Sequence, residues 1–280
     1  MRAVRTAYGP HRDQFVELTL PPPVQERTGS AGLSSTTTGA GPAPVVVVLH
    51  GGFWRAAYGI ELARPLAADL AAAGFAAVAV EYRRVGAGGG WPATLEDVAA
   101  ALDSLPDLPD GGRVDLTDVA VVGHSAGGHL AAWAAGRARL PEGAPGARPR
   151  IRPAAAVLQA GVLDLERAAA QRLGGGAVQD LLGAEPADAP DRYAAADPVR
   201  LVPAGADLLC VHGTGDAVVP AEQSARYAQA AAAQGVAVDV RLVPGDHMVL
   251  IDPAGEPWAL VRDWLRSRAG TSRDGSTLEP

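Results

Sequence analysis

Three residues carry the chemical argument: Ser125 inside Gly123-His124-Ser125-Ala126-Gly127, Asp216 in "TGDAVVP", and His247 in "PGDHMVLIDP". A serine hydroxyl is a weak nucleophile until a neighbouring base takes its proton. An imidazole near neutral pH is such a base, and a carboxylate can hold that ring in the right tautomer. The five residues around Ser125 fit a Gly-x-Ser-x-Gly turn between a strand and a helix. Serine is also a common helix N-cap, so the motif alone leaves two readings and its partners must choose between them.

The partners follow in the order serine, acid, histidine that this kind of turn requires. Asp216 comes just after the apolar run "DLLCVHG", and His247 just after "VAVDVRLV". Asp246 and Asp252 are rival acids, but neither follows a strand end at the usual point, and Asp246 is too close in sequence to reach the far side of the His247 ring. Asp216 is therefore the expected acid, orienting His247 while His247 shuttles the Ser125 proton. A fourth element, "HGGFW" at 50–54, ends another apolar run. Its glycine-rich turn can aim backbone N–H groups at a developing oxyanion, and Gly52, Phe53 and Ala126 are the expected donors. By itself "HGG" would be an ordinary strand-to-loop turn.

Such a constellation needs elements that bring chain segments far apart in sequence to one edge. Near-continuous Val/Ala/Leu runs recur at 44–50, 76–82, 118–124, 155–161, 207–213 and 236–243, and helical patterns follow most of them. That alternation predicts an α/β chain with a mostly parallel sheet covered on both faces and functional loops at the carboxyl ends of its strands. A single domain over residues 1–270 is expected, with "QFVELTL" as an N-terminal strand. Three segments break the pattern: a Gly/Ser/Thr-rich flexible loop at 27–43, a possible small lid at 163–200, and a disordered tail at 271–280.

Composition narrows the partners. A net charge of −7 argues against nucleic acid, and every basic residue is arginine in a chain rich in Ala and Gly. No signal-like leader and no long apolar span are visible, so a soluble cytoplasmic protein is the expectation. The lone Cys210 sits in an apolar run and reads as a buried thiol. His50 and His212 end strands beside glycine and read as loop braces, whereas His124 and His129 read as packed or variable positions. No His or Cys cluster suggests a metal.

Together "VVVVLHGGFWRAAYG", "EYRRVGAGGGWPATLEDVAAALD", "VVGHSAGGHLAAWAA", "HGTGDAVVP" and "GDHMVLIDP" resemble the α/β-hydrolase superfamily. More narrowly they are similar to the branch holding esterases, prolyl-oligopeptidase-like hydrolases and kynurenine formamidases. The resemblance implies the α/β-hydrolase fold, triad roles for Ser125, Asp216 and His247, and no cofactor. It also implies that Phe53 and Trp54 wall the acyl side of the cleft, though Trp54 packing under the lid is an equal reading. Tyr82, Arg83 and Trp91 would border the pocket. Arg83 or Arg84 is a candidate for a substrate carboxylate, with loop bracing the preferred reading. The implied activity is an arylformamidase-like hydrolase of small-acyl amides or esters, with a short-chain carboxylesterase as runner-up. A catalytically silent binding protein on the same fold is a further alternative, and a homo-oligomer is not readable from the residues.

Overall fold

A computed structural model describes residues 2–23, 41–109 and 112–274, with the backbone alone for 270–274. Its centre is an eight-stranded sheet: β1 (Val4–Ala7), β2 (Phe15–Thr19), β3 (Ala43–Leu49), β4 (Ala76–Glu81), β5 (Val114–His124), β6 (Ala155–Gln159), β7 (Asp207–Gly213) and β8 (Asp239–Val243). The spatial order is β1-β2-β4-β3-β5-β6-β7-β8. β1 and β2 pair antiparallel, β2 joins β4 antiparallel, and every pairing from β4 to β8 is parallel.

Two helical layers cover the sheet. The strands are apolar on both faces because each face is buried. Along β3, Val45, Val47 and Leu49 face one core, while Val46 and Val48 face the other. The second core is closed by α1 (Arg64–Ala72) and α8 (Glu256–Asp274), through Leu66, Leu70, Trp258, Val261 and Leu265. The first is closed by α2 (Ala93–Asp103), α3 (Ala126–Gly136), three short helices α4 (Leu165–Ala170), α5 (Leu173–Leu182) and α6 (Pro190–Ala196), and α7 (Glu222–Ala232). Cys210, on β7, is fully buried, which pushes its thiol up to about 12 despite a hydrogen bond with Ser224.

The chain runs from β3 to β4 on one side, then crosses back to β5 on the other. Strand order reverses there, and the carboxyl ends of β3 and β5 flank this switch point, where open α/β sheets place their ligand sites. Those ends carry "HGGFW" and the Ser125 turn.

Several expectations shift. β1 was not anticipated. β8 begins at Asp239 rather than 236, because Val236 N–H still bonds back to Ala231 O and closes the end of α7 (2.9 Å). Residues 163–200 hold α4, α5 and α6, whose Leu165, Val178, Leu181, Leu182 and Tyr193 are buried in the core. α8 continues to Asp274, past Gly270 where the tail was expected to begin; residues 275–280 lie outside the described residues, as do 27–40 of the Gly/Ser/Thr-rich loop.

Candidate active site

Ser125 occupies the turn between β5 and α3 with φ 56° and ψ −119°, a conformation that costs a non-glycine residue strain. It stands at the N-cap position, yet its side chain makes no capping hydrogen bond. Its N–H donates to Gln159 O (2.8 Å), which fixes the turn against β6. The flanking glycines permit the close packing that this geometry needs. A Cβ on Gly123 would lie 2.0 Å from Gly127 O, and one on Gly127 would lie 2.1 Å from Leu49 O. Any side chain at either position would collide with the helix or with β3.

Asp216 and His247 meet directly. Asp216 Oδ2 lies 2.6 Å from His247 Nδ1, and Oδ1 accepts the N–H groups of Val218 (2.8 Å) and Val219 (2.9 Å). Burial alone would push this carboxyl up, but the hydrogen bonds from His247 and from Val219 and Val218 outweigh it and hold its pKa below the usual carboxylate range. An ionised carboxylate only accepts, so Nδ1 of His247 carries the ring proton and Nε2, on the opposite side of the ring, keeps its lone pair. The rival acids are engaged locally: Asp246 Oδ1 takes Met248 N–H (2.9 Å), and Asp252 Oδ1 takes Ala254 N–H (3.0 Å).

His247 is tied to the Ser125 turn through its neighbour. His124 Nε2 donates to His247 O (2.8 Å), and the two rings are 4.4 Å apart between centroids. The sequence offered His124 only as a variable position. Asp216 also has a second imidazole near it, His212 Nε2 at 3.4 Å. That ring bonds Ser224 Oγ through Nδ1 (2.8 Å) and donates to Val219 O through Nε2 (2.9 Å). Burial lowers the His212 pKa, so the ring is neutral and acts as a brace beneath Asp216. The spacing of His212 four residues before Asp216 was the available signal.

On the β3 side, Gly52, Phe53 and Trp54 are three successive residues with positive φ (109°, 51° and 56°). This left-handed turn brings Trp54 O to Val85 N–H (2.8 Å). Ala126, the first residue of α3, presents an N–H that has no acceptor within its own helix. The Phe53 ring packs on Gly174 of α5, where a Cβ would stand 2.6 Å from it. Arg55 pairs with Asp180 of the same helix (2.6 Å), and Trp91 N–H donates to Leu181 O (2.7 Å).

Two expected pocket residues lie elsewhere. Trp54 is 1% exposed, its indole N–H donating to His129 Nδ1 (3.2 Å), so the left-handed backbone turns the ring into the core and not onto a cleft wall. Tyr82 is fully buried, stacked on His50 at 4.4 Å with its hydroxyl donating to His50 O (2.8 Å). Trp91 is half-buried beneath α5. Arg83 is held by Asp97 (2.6 Å), and Arg84 by Asp13 (2.9 Å) and Tyr58 O (2.7 Å), so both brace loops. Three large apolar side chains do reach solvent beside the candidate residues: Tyr58, against Gly52; Val218, two residues after Asp216; and Met248, next to His247.

A groove of about 650 Å³, lined by Asp207, Asp239 and Trp264 among others, lies at the amino ends of β7 and β8, across the sheet from this site. Among the described residues, no group of three or more His, Cys, Asp or Glu side chains is placed to hold a metal ion, and no helix is long and apolar enough to cross a membrane.

The chain is similar to known proteins in sequence and in fold. The model of the BD-FAE family matches residues 33–230. "Probable carboxylic ester hydrolase LipM" of Mycobacterium tuberculosis is 32% identical over 191 residues, covering 66% of this chain and 44% of LipM, so the chain spans less than half of that relative's length. Among solved structures, carboxylesterase Cest-2923 from Lactobacillus plantarum WCFS1 superposes with a TM-score of 0.73 at 21% identity, covering 96% of this chain and 98% of its own. Esterase B from Lactobacillus rhamnosis gives a TM-score of 0.76 at 20% identity, covering 97% and 85%. These likenesses show an α/β-hydrolase fold, and the family match over most of the chain makes this protein a member of the BD-FAE family.

Proposed function

We propose that this chain is a serine hydrolase of short-chain carboxylic esters. The observation that carries the reading is the meeting of three segments: Ser125 on its strained turn, His247 tied to that turn through His124, and Asp216 at 2.6 Å from the far nitrogen of the His247 ring. The names of LipM, Cest-2923 and esterase B support an ester over an amide, so the runner-up of the sequence reading takes the place of the arylformamidase.

In the proposed cycle, Ser125 Oγ attacks the ester carbonyl carbon while His247 Nε2 takes the hydroxyl proton. The carbonyl electron pair moves onto oxygen, which the N–H groups of Gly52, Phe53 and Ala126 receive; each such donor is worth about 10²–10³ in rate. The C–O bond to the alcohol breaks, and the departing oxygen takes the proton from His247. The acyl group remains on Ser125. Water then gives a proton to His247 and attacks the acyl carbon, and Ser125 leaves with that proton. Asp216 stays ionised throughout and stabilises the imidazolium.

Phe53, pressed on Gly174, is proposed to limit the acyl side to short chains, and the exposed Tyr58, Val218 and Met248 to offer apolar surface to the alcohol portion. The test is kcat/KM for p-nitrophenyl acetate, butyrate and octanoate beside N-formylkynurenine. Cleavage of acetate and butyrate ahead of octanoate and of the formamide is expected. A faster formamide would move the reading to the arylformamidase, and no turnover of any substrate would leave the silent binding protein.

A further inference from the structure

We propose that His124 and Gln159 are positioning residues that set where the His247 imidazole stands relative to Ser125. The proposal rests on the hydrolase reading above and concerns two buried side chains for which that mechanism has no use.

The two residues are sheet neighbours, His124 at the end of β5 and Gln159 at the end of β6, paired in register. Each joins the Ser125 turn to the loop that carries His247. His124 precedes the serine in the chain and donates from Nε2 to His247 O (2.8 Å). Gln159 accepts Ser125 N–H on its main-chain oxygen (2.8 Å), while its side-chain Nε2 donates to Leu250 O (2.6 Å). The loop is thus held on both sides. From β7, Thr214 N–H bonds Val243 O (2.8 Å) and Gly215 N–H bonds Gly245 O (2.8 Å). From β5 and β6, the side chains of His124 and Gln159 do the holding.

Chemistry fixes the direction of both bonds. Backbone carbonyls only accept, so His124 must carry its proton on Nε2, and the Gln159 amide must turn its NH₂ toward Leu250. Burial, with the neighbouring His247, pushes His124 down to about 3, so the ring stays neutral beside a His247 ring that must become cationic. The Gln159 choice has a visible cost. Its Oε1 is buried with no hydrogen-bond partner, an arrangement that native structures seldom keep without a reason. Asp216 controls the rotation of the His247 ring through Nδ1, whereas His124 and Gln159 control the place of its backbone. Misplacing a reacting group by about 1 Å can cost about 10²-fold in rate.

The test compares esters that differ in how much they need a proton. p-Nitrophenoxide leaves without one, but an alkoxide does not, so a displaced His247 should impair ethyl acetate more than p-nitrophenyl acetate. Expected for His124→Leu and for Gln159→Met is a drop in kcat of about ten- to a hundredfold on p-nitrophenyl acetate, a larger drop on ethyl acetate, and KM little changed. His124→Gln, long enough to reach His247 O, should recover most of the loss, and the shorter His124→Asn should not; that pair keeps the question open to answer if His124→Leu fails to fold. Equal losses on the two esters, tracking the folded fraction from circular dichroism, would overturn the positioning role alone. A wild-type chain that cleaves neither ester overturns the hydrolase reading and this inference with it.

Discussion

Asp216 and His247, separated by two secondary-structure elements along the chain, are locked together at 2.6 Å, and the carboxylate is held on its other oxygen by two backbone N–H groups. The acid therefore cannot rotate away from the ring without breaking three hydrogen bonds. Asp216→Asn keeps the shape but offers either an amide donor or a weaker acceptor to Nδ1, which favours the wrong tautomer. Loss of kcat by about 10⁴ is expected, as for the corresponding change in serine proteases. Asp246→Asn, whose carboxylate serves only its own turn, should stay within a few-fold of wild type, and steady-state kinetics of the two variants decide the point.

Ser125 should be the residue that a fluorophosphonate probe modifies. Labelling of wild type and its absence in Ser125→Ala is the expected pattern. Equal labelling of both proteins would assign the nucleophile elsewhere.

Trp54 illustrates a different kind of loss. Its ring is in the core and its N–H serves His129, which burial pushes down to about 4 and keeps neutral; the other nitrogen of His129 donates to Ala196 O (3.0 Å). Trp54→Ala should destabilise the fold by about 3–5 kcal/mol. Trp54→Phe, which leaves the His129 acceptor unmet, should cost about 1–3 kcal/mol. KM of the Phe variant should match wild type. Urea melts and KM measured together separate a core tryptophan from a cleft wall, since a wall would change KM.

Asp197 gives a pH dependence with a defined sign. Burial raises its carboxyl from 3.8 to about 7, against a hydrogen bond from Leu165 N–H, with Asp164 adding to the rise. The folded pKa lies above the unfolded one, so the native state binds more protons between them, and this group's contribution to stability falls as pH rises from about 4 to about 7. Asp197→Asn should match wild type in Tm near pH 4 and exceed it by a few degrees at pH 8. A constant difference at both pH values would count against the shift.

Much of the site was legible because its chemistry is written in short motifs at strand ends. The apolar runs at 44–50, 76–82, 118–124, 155–161 and 207–213 all became parallel strands, since strands buried on both faces need no alternation. β1 escaped because "VRTA" is largely exposed and carries no such run. Of the two misplaced aromatics, Tyr82 is drawn into the core by its stacking on His50 and its hydroxyl bond to His50 O, a pairing between two strand ends that no local motif announces. Trp54 is turned inward by its backbone. Nothing in "HGGFW" announces that Phe53 and Trp54 take positive φ, and that turn alone decides which ring faces the core. His124 and Gln159 were invisible for want of range: their partners, His247 and Leu250, lie in a loop three strands beyond His124 and two beyond Gln159.

The lone thiol has a practical consequence. Cys210 sits fully buried at the middle of β7, between β6 and the edge strand β8, and only its thiolate reacts with alkylating or disulfide reagents. Closed molecules should therefore be silent to such a reagent, and each modification should record one excursion in which β7 leaves its neighbours. The chain carries its own single-site clock for opening, readable in native buffer by mass increase, without denaturant and without an introduced probe.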